Sequence, residues 1–314
     1  MGCKLPDRAA GVANCGIAVV TNGNVMSSAV VSWWHFLCLL AAVNIVAWSL
    51  AALALRRHQA GMSARAYAAC RIQLALSAAY VFGCAFRSVL PVYDIPRLGL
   101  FDTWLSSVAV GRSVATVAEL CFISQWALLL NATARSTGSV VARIVSLVLV
   151  PLIATAEICS WYAVLTTSNL GHVAENSLWA TCAVLVICAM LALVPHFPAA
   201  RRRVLFGWCV AGLTYVAFMF FVDVPTYWSR HVADQAANRQ YLSIAQGLAD
   251  VAHHRVVSYR WEDWKSEVVW MTLYFSIGVW FSISLTRPRG PAARIADEGP
   301  RFRPAGSYAF RSKA

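Results

Sequence analysis

The sequence is organised in apolar blocks of about 20 residues, the length a helix needs to cross a ~30 Å hydrocarbon layer. Seven blocks run along the 314 residues, at 29–54, 70–90, 103–130, 141–165, 177–196, 204–223 and 266–286. Inside a bilayer no water meets backbone polar groups, so each block must satisfy its own hydrogen bonds as a helix. Hydrophobic residues form 59% of the chain and charged residues 13%, more apolar surface than one soluble core can hide. The expected fold is an all-α integral membrane protein, a multi-pass bundle of about seven transmembrane helices whose constant partner is the lipid bilayer. Polar residues weaken the second and third blocks as spans, which leaves a six-helix count as the alternative.

Orientation follows from Lys and Arg near the helix ends, because these residues translocate poorly. One side of the expected bundle, including the tail after 286, carries 16 Lys/Arg against two acids; the other carries nine against ten. Every alternate loop is basic, which places the N-terminus outside and the C-terminus in the cytoplasm. The net charge of +12 is then an insertion signal and gives no reason to invoke nucleic acid. The chain divides into an extracytoplasmic segment 1–28, a membrane domain 29–286, and a Pro-, Gly- and Arg-rich cytoplasmic tail 287–314 expected to be disordered. Most of the ten cysteines fall within helices as small buried thiols, and only Cys3 and Cys15 are placed to pair in an oxidising compartment.

Between the sixth and seventh blocks lies a longer extracytoplasmic segment, about 225–264. Ala237, Tyr241, Ile244, Ala245, Leu248, Val251 and Ala252 recur there at three- and four-residue steps, the spacing of an amphipathic helix. Tyr227, Trp228, Trp261 and Trp264 bracket it with interfacial aromatics, so it is expected along the outer surface or over the bundle mouth.

The ionisable residues inside the blocks carry the functional question. Arg112 lies about 15 Å in from Asp102, Glu119 about 10 Å deeper, and Glu157 about 21 Å from Arg143. Each unpaired charge at mid-helix costs about 2.5–3.5 kcal/mol on insertion scales, so none of the three can face lipid. Arg112, Thr116, Glu119, Ile123 and Trp126 share one helical stripe, and Glu157, Ser160 and Trp161 fall together on the next helix. The two stripes are expected to face each other, with Arg112 paired to Glu157 or Glu119. Arg87, Asp94, Arg97, Asp102, Asp223 and His231 gather toward the same outer level, with His172 and Glu175 expected on a loop.

Glu119, Glu157, His172, Glu175, Asp223 and His231 are hard or borderline metal ligands, but the chain has no HExxH and no repeated His boxes, so no metal is assigned. The lysines, Lys4, Lys265 and Lys313, include none for a retinal Schiff base within the seventh block, and GxSxG and Walker A patterns are absent. No cofactor is assigned. Location favours an integral-membrane enzyme that admits a hydrophobic or lipid-like small-molecule substrate and treats it by carboxyl acid/base chemistry. Glu157 is the first candidate proton donor and Glu119 the second; Asp223 joins the catalytic set, and Arg112 would stabilise negative charge. Arg87, Trp161, His172 and Glu175 are the candidate substrate-binding residues. A proton-coupled transporter or a seven-helix small-ligand receptor is the alternative, and a structural or assembly protein the third.

The charge asymmetry makes one direct prediction. A reporter fused after Ala314 is expected to read as cytoplasmic; a reading on the opposite side would reverse the assigned orientation.

Overall fold

A computed structural model describes residues 27–286 and the strand pair formed by β1 (Val20–Thr21) and β2 (Asn24–Val25). The expectations for Cys3, Cys15 and the tail 287–314 fall outside the described residues. Seven helices are long and apolar enough to cross a membrane, as the block pattern requires. They begin with α1 (Ser28–His58), α2 (Ala64–Val89), α3 (Val108–Thr137), α4 (Val140–Thr166) and α5 (Asn169–Leu193). The sixth span joins α6 (Ala199–Phe218) to α7 (Val224–Ala236) through a π-helical turn, Met219–Asp223. The seventh joins α9 (Trp261–Leu273) to α10 (Val279–Ser284) through a second π turn, Tyr274–Gly278.

Local chemistry sets the helix ends. Ser107 and Ser139 accept the backbone N–H groups of Val110 and Ala142 at the starts of α3 and α4. Gly138 terminates α3 with φ of 75°, a conformation that glycine adopts without strain. Consecutive helices pack antiparallel, and the last span closes back on α1 and α2. Trp33, Leu37, Tyr80, Trp264 and Phe275 fill that seam, while Ile123, Leu130, Leu149 and Ile153 fill the one between α3 and α4.

Lipid tails give helices no hydrophobic reason to associate, so close packing and interhelical hydrogen bonds hold the bundle. The Gln73 and Gln125 side chains donate to each other's backbone carbonyls at 3.1 and 3.0 Å, and the Ser282 hydroxyl bonds Gln125 Oε1 at 2.6 Å. This clamp ties α2, α3 and α10. Asn44 adds another by donating to the Phe275 carbonyl at 2.7 Å. The sixth span is the outlier: from Arg202 to Ala236 only Cys209 and Met219 are buried, and the span leans mainly on α5, with Trp208 also meeting Trp126 of α3 and Phe281 of α10.

Two sequence expectations need correction. Helix six does not stop at 223, because Pro225 sits in the first turn of α7, where its missing N–H costs little. The segment between the last two spans therefore shrinks from about 225–264 to 237–260. Its amphipathic helix is α8 (Ile244–His253), opened by a capping box between Ser243 and Gln246. The expected apolar face holds only in part: Val251 is buried, but Ile244 and Leu248 are exposed, and Gly247, outside the expected face, is buried.

Glycine decides which face docks. A Cβ at Gly247 would lie 2.0 Å from the Leu165 carbonyl oxygen, so α8 rests backbone-to-backbone on the end of α4. Around it, β3 (Val92–Tyr93) pairs antiparallel with β4 (Leu98–Gly99), which pairs in parallel with β5 (Val256–Val257). Buried Arg97 forms an ion pair with Asp250 and donates to the Val164 carbonyl at 3.0 Å; Arg255 bonds Asp102 at 2.9 Å. These contacts make a cap over one end of the bundle, opposite the end bearing the short connections 59–63, 138–139 and 194–198.

Replacing Gly247 with alanine should undock the cap and cost about 1–3 kcal/mol, the usual penalty of forced overpacking. Faster limited proteolysis within 237–260 would report it; an unchanged cleavage rate would show that the cap does not depend on this approach.

Candidate functional site

Three helices bring their charged residues to one point beneath the cap. Glu119 lies about 17 Å along α3 from its capped end, Glu157 about 14 Å from the same end on α4, and Glu175 about 9 Å in on α5. Arg112 Nη2 stands among them, 2.7 Å from Glu157 Oε2, 3.1 Å from Glu175 Oε1 and 3.6 Å from Glu119 Oε2. All four residues are buried. The stripes on α3 and α4 face each other, so Arg112 meets both Glu157 and Glu119.

A tight shell of hydrogen bonds orients Glu157. Thr116 Oγ1 donates to Glu157 Oε2 at 2.6 Å, and Trp161 Nε1 donates to Thr116 Oγ1 at 3.1 Å. Thus Trp161, expected as a substrate contact, supports the carboxylate through a threonine. Ser160 is fully buried and within hydrogen-bonding reach of Glu175, and Glu119 is within hydrogen-bonding reach of Glu157.

His172 and Glu175 require the main correction. They lie on the first two turns of α5 instead of a loop, and both are buried. A Cβ on Gly171 would fall 2.6 Å from the Cys159 carbonyl oxygen, so glycine lets α5 press against α4 at this level. That approach delivers Glu175 to Arg112. His172 Nδ1 bonds Glu175 Oε2 at 2.8 Å, and its ring packs 4.9 Å from Tyr227.

The remaining candidates divide. Asp223, in the π turn of the sixth span, accepts from Asn176 Nδ2 at 2.5 Å and so attaches that wall to α5. Arg87 stands apart from the cluster; it donates to the Val92 carbonyl at 3.3 Å and holds β3 to the end of α2. His231 faces Trp228 and Tyr241 toward the cap. Glu267 on α9, Arg230 on α7 and Tyr93 on the cap form a second charged group that the sequence patterns did not single out. The Arg230 guanidinium lies 5.1 Å from the Tyr227 ring centre and 5.8 Å from that of Tyr93. Burial pushes the Tyr93 hydroxyl up to about 12, with the Glu267 charge acting in the same direction.

One carboxylate oxygen from each of Glu119, Glu157 and Glu175 lies within 4.8 Å of the others, a spacing that could hold a cation. The guanidinium of Arg112 already contacts all three. Fully ionised, three carboxylates around one guanidinium leave two negative charges unbalanced, and a low-dielectric interior penalises that excess. The arrangement can take up protons or a positive ligand, and it can hold an oriented acid beside an oriented carboxylate.

The chain matches no protein-family model, no curated protein and no solved structure.

Because Arg112 sits at unequal distances from its partners, its energetic coupling should be unequal too. Arg112→Ala is expected to cost about 3–5 kcal/mol, the range for stripping one partner from a buried ion pair. In double-mutant cycles on unfolding in detergent, coupling to Glu157→Gln should exceed coupling to Glu119→Gln. Equal couplings would remove Glu157 as the principal partner.

Proposed function

We propose that this multi-pass membrane protein is an enzyme that treats a hydrophobic or lipid-like substrate by carboxyl acid/base chemistry. The cap is assigned to the non-cytoplasmic side and the arginine-rich connections to the cytoplasm. One observation carries the reading: three buried carboxyls converge on a single guanidinium, with one of them, Glu157, held in a fixed orientation by Thr116 and Arg112. A carboxyl kept protonated by its surroundings is a ready general acid. Glu157 is the donor in this scheme, Glu119 the carboxyl with which it exchanges a proton, and Arg112 the group that stabilises negative charge left behind.

Access supports the same reading. Phe220, Phe221 and Val222 are exposed in the π turn that also carries Asp223, and a bilayer-dissolved molecule is taken to approach the cluster along this span. π turns recur at functional positions because they widen the helix and re-aim side chains. On the arginine-rich side of Glu119, Leu130, Leu149 and Ile153 pack into an apolar seam, and the Gln73–Gln125 clamp lies at a similar depth. A carrier needs a polar path to both faces; the polar residues here extend mainly toward the cap, which favours an enzyme.

Lipids that copurify with the detergent-extracted protein, identified by mass spectrometry, supply substrates for a turnover assay. Glu157→Gln preserves volume and should lower turnover per folded molecule by about 10²–10⁴-fold, the usual contribution of a general acid. Turnover equal to the parent's would sink the catalytic assignment.

A further inference from the structure

At the arginine-rich end the spans outrun the hydrocarbon layer, and their arginines follow a pattern. α3 has 30 residues and α4 has 27, lengths of about 45 and 40 Å against a layer of ~30 Å. Their terminal turns therefore stand among lipid headgroups. Arg135 falls in the last turn of α3 and Arg143 in the first turn of α4, and both are exposed. Each continues a line of side chains that the bundle leaves open to lipid. Arg143 lies at helical spacing between Val140 and Leu147, which are 68% and 62% exposed, and Arg135 lies two turns beyond exposed Leu128.

Three more spans repeat the pattern with exposed arginines. Arg57 follows exposed Leu50 and Leu53 on α1, Arg71 adjoins exposed Ile72 on α2, and Arg203 precedes exposed Phe206 and Val210 on α6. The insertion signal does not require this placement, because arginines in the connecting loops orient a chain equally well. The charge at this end is also uncompensated. Among the described residues it holds no Asp or Glu, and none of the five arginines forms an ion pair. At the cap, by contrast, Arg97, Arg239, Arg255 and Lys265 are each paired with an acid.

A partner for these positions must meet a guanidinium and apolar side chains on one line. A lipid does so with its head and its chains, whereas a soluble polyanion reaches the guanidiniums alone. The head must carry net negative charge, since a zwitterionic one brings an ammonium for which this end has no carboxylate among the described residues. Phosphodiester oxygens match the guanidinium fork and accept two parallel N–H bonds from it. We infer that this end of the bundle binds anionic phospholipid, with Arg57, Arg71, Arg135, Arg143 and Arg203 holding headgroup phosphates and the exposed side chains beside them meeting the acyl chains. The surface lies away from the cap and the acidic cluster, so lipid binding there does not depend on the enzyme reading.

Native mass spectrometry of the full chain tests this, after detergent-solubilised protein is equilibrated with equal amounts of phosphatidylglycerol and phosphatidylcholine of matched chains. Phosphatidylglycerol should be retained at least about fivefold over phosphatidylcholine, the worth of one arginine near an anionic surface. Arg71→Gln and Arg143→Gln should each lower the number of phosphatidylglycerol molecules retained, and the double variant should lower it further. Arg202→Gln is the control. It removes the same charge, but Arg202 shares its helix line with buried Cys209, and its guanidinium donates to the Phe197 and Pro195 carbonyls. Retention should survive that change. Equal retention of the two lipids, an equal loss from Arg143→Gln and Arg202→Gln, or complete displacement of phosphatidylglycerol by inorganic phosphate overturns the inference.

Discussion

A guanidinium in the middle of a membrane-spanning bundle must find its counter-charges before the bundle can close, because hydrocarbon offers it neither water nor ions. In this protein the counter-charges come from three separate helices, and the rest of the architecture serves their meeting. Contact between Arg112 and Glu157 holds α3 to α4; contact with Glu175 brings in α5. Each helix end at the capped side must then sit at a level that keeps these side chains within reach. The ion cluster is therefore a constraint on packing as well as a candidate site.

Packing meets that constraint through small residues and short-range polar bonds instead of a hydrophobic drive. Gly171 permits the close approach of α4 and α5 that delivers Glu175, and Gly247 permits the cap to rest on the end of α4. The Gln73–Gln125 clamp ties α2 to α3 in the far half of the bundle. Rigidity is unevenly shared as a result. The other six spans pack against one another, while the sixth stands mainly against α5 with most of its apolar surface outward. Its π turn, and the one in the seventh span, both interrupt regular helix near the level of Glu119.

Hydropathy is a local property, and the sequence alone pointed to about seven spans with six as the alternative, and determined the basic bias of one end and the pairing stripes of α3 and α4, because helical spacing puts Arg112, Thr116 and Glu119 on one line. The first turns of α5 were not legible in the same way. The stretch "NLGHVAEN" is too polar for a hydropathy window, so its helix was expected to start near 177, and His172 and Glu175 were assigned to a loop. Backbone hydrogen bonds continue through that stretch because Gly171 can pack on α4 and Glu175 has a guanidinium to meet. Pro225 likewise read as a stop, although it falls in the first turn of a helix continued across a π turn. The docking face of α8 was misread because periodicity ranks residues by apolarity, whereas the contact was selected by the absence of a side chain at Gly247. Which helices touch and which carboxylates share Arg112 depend on distances between segments far apart in the chain, and only tertiary packing supplies those.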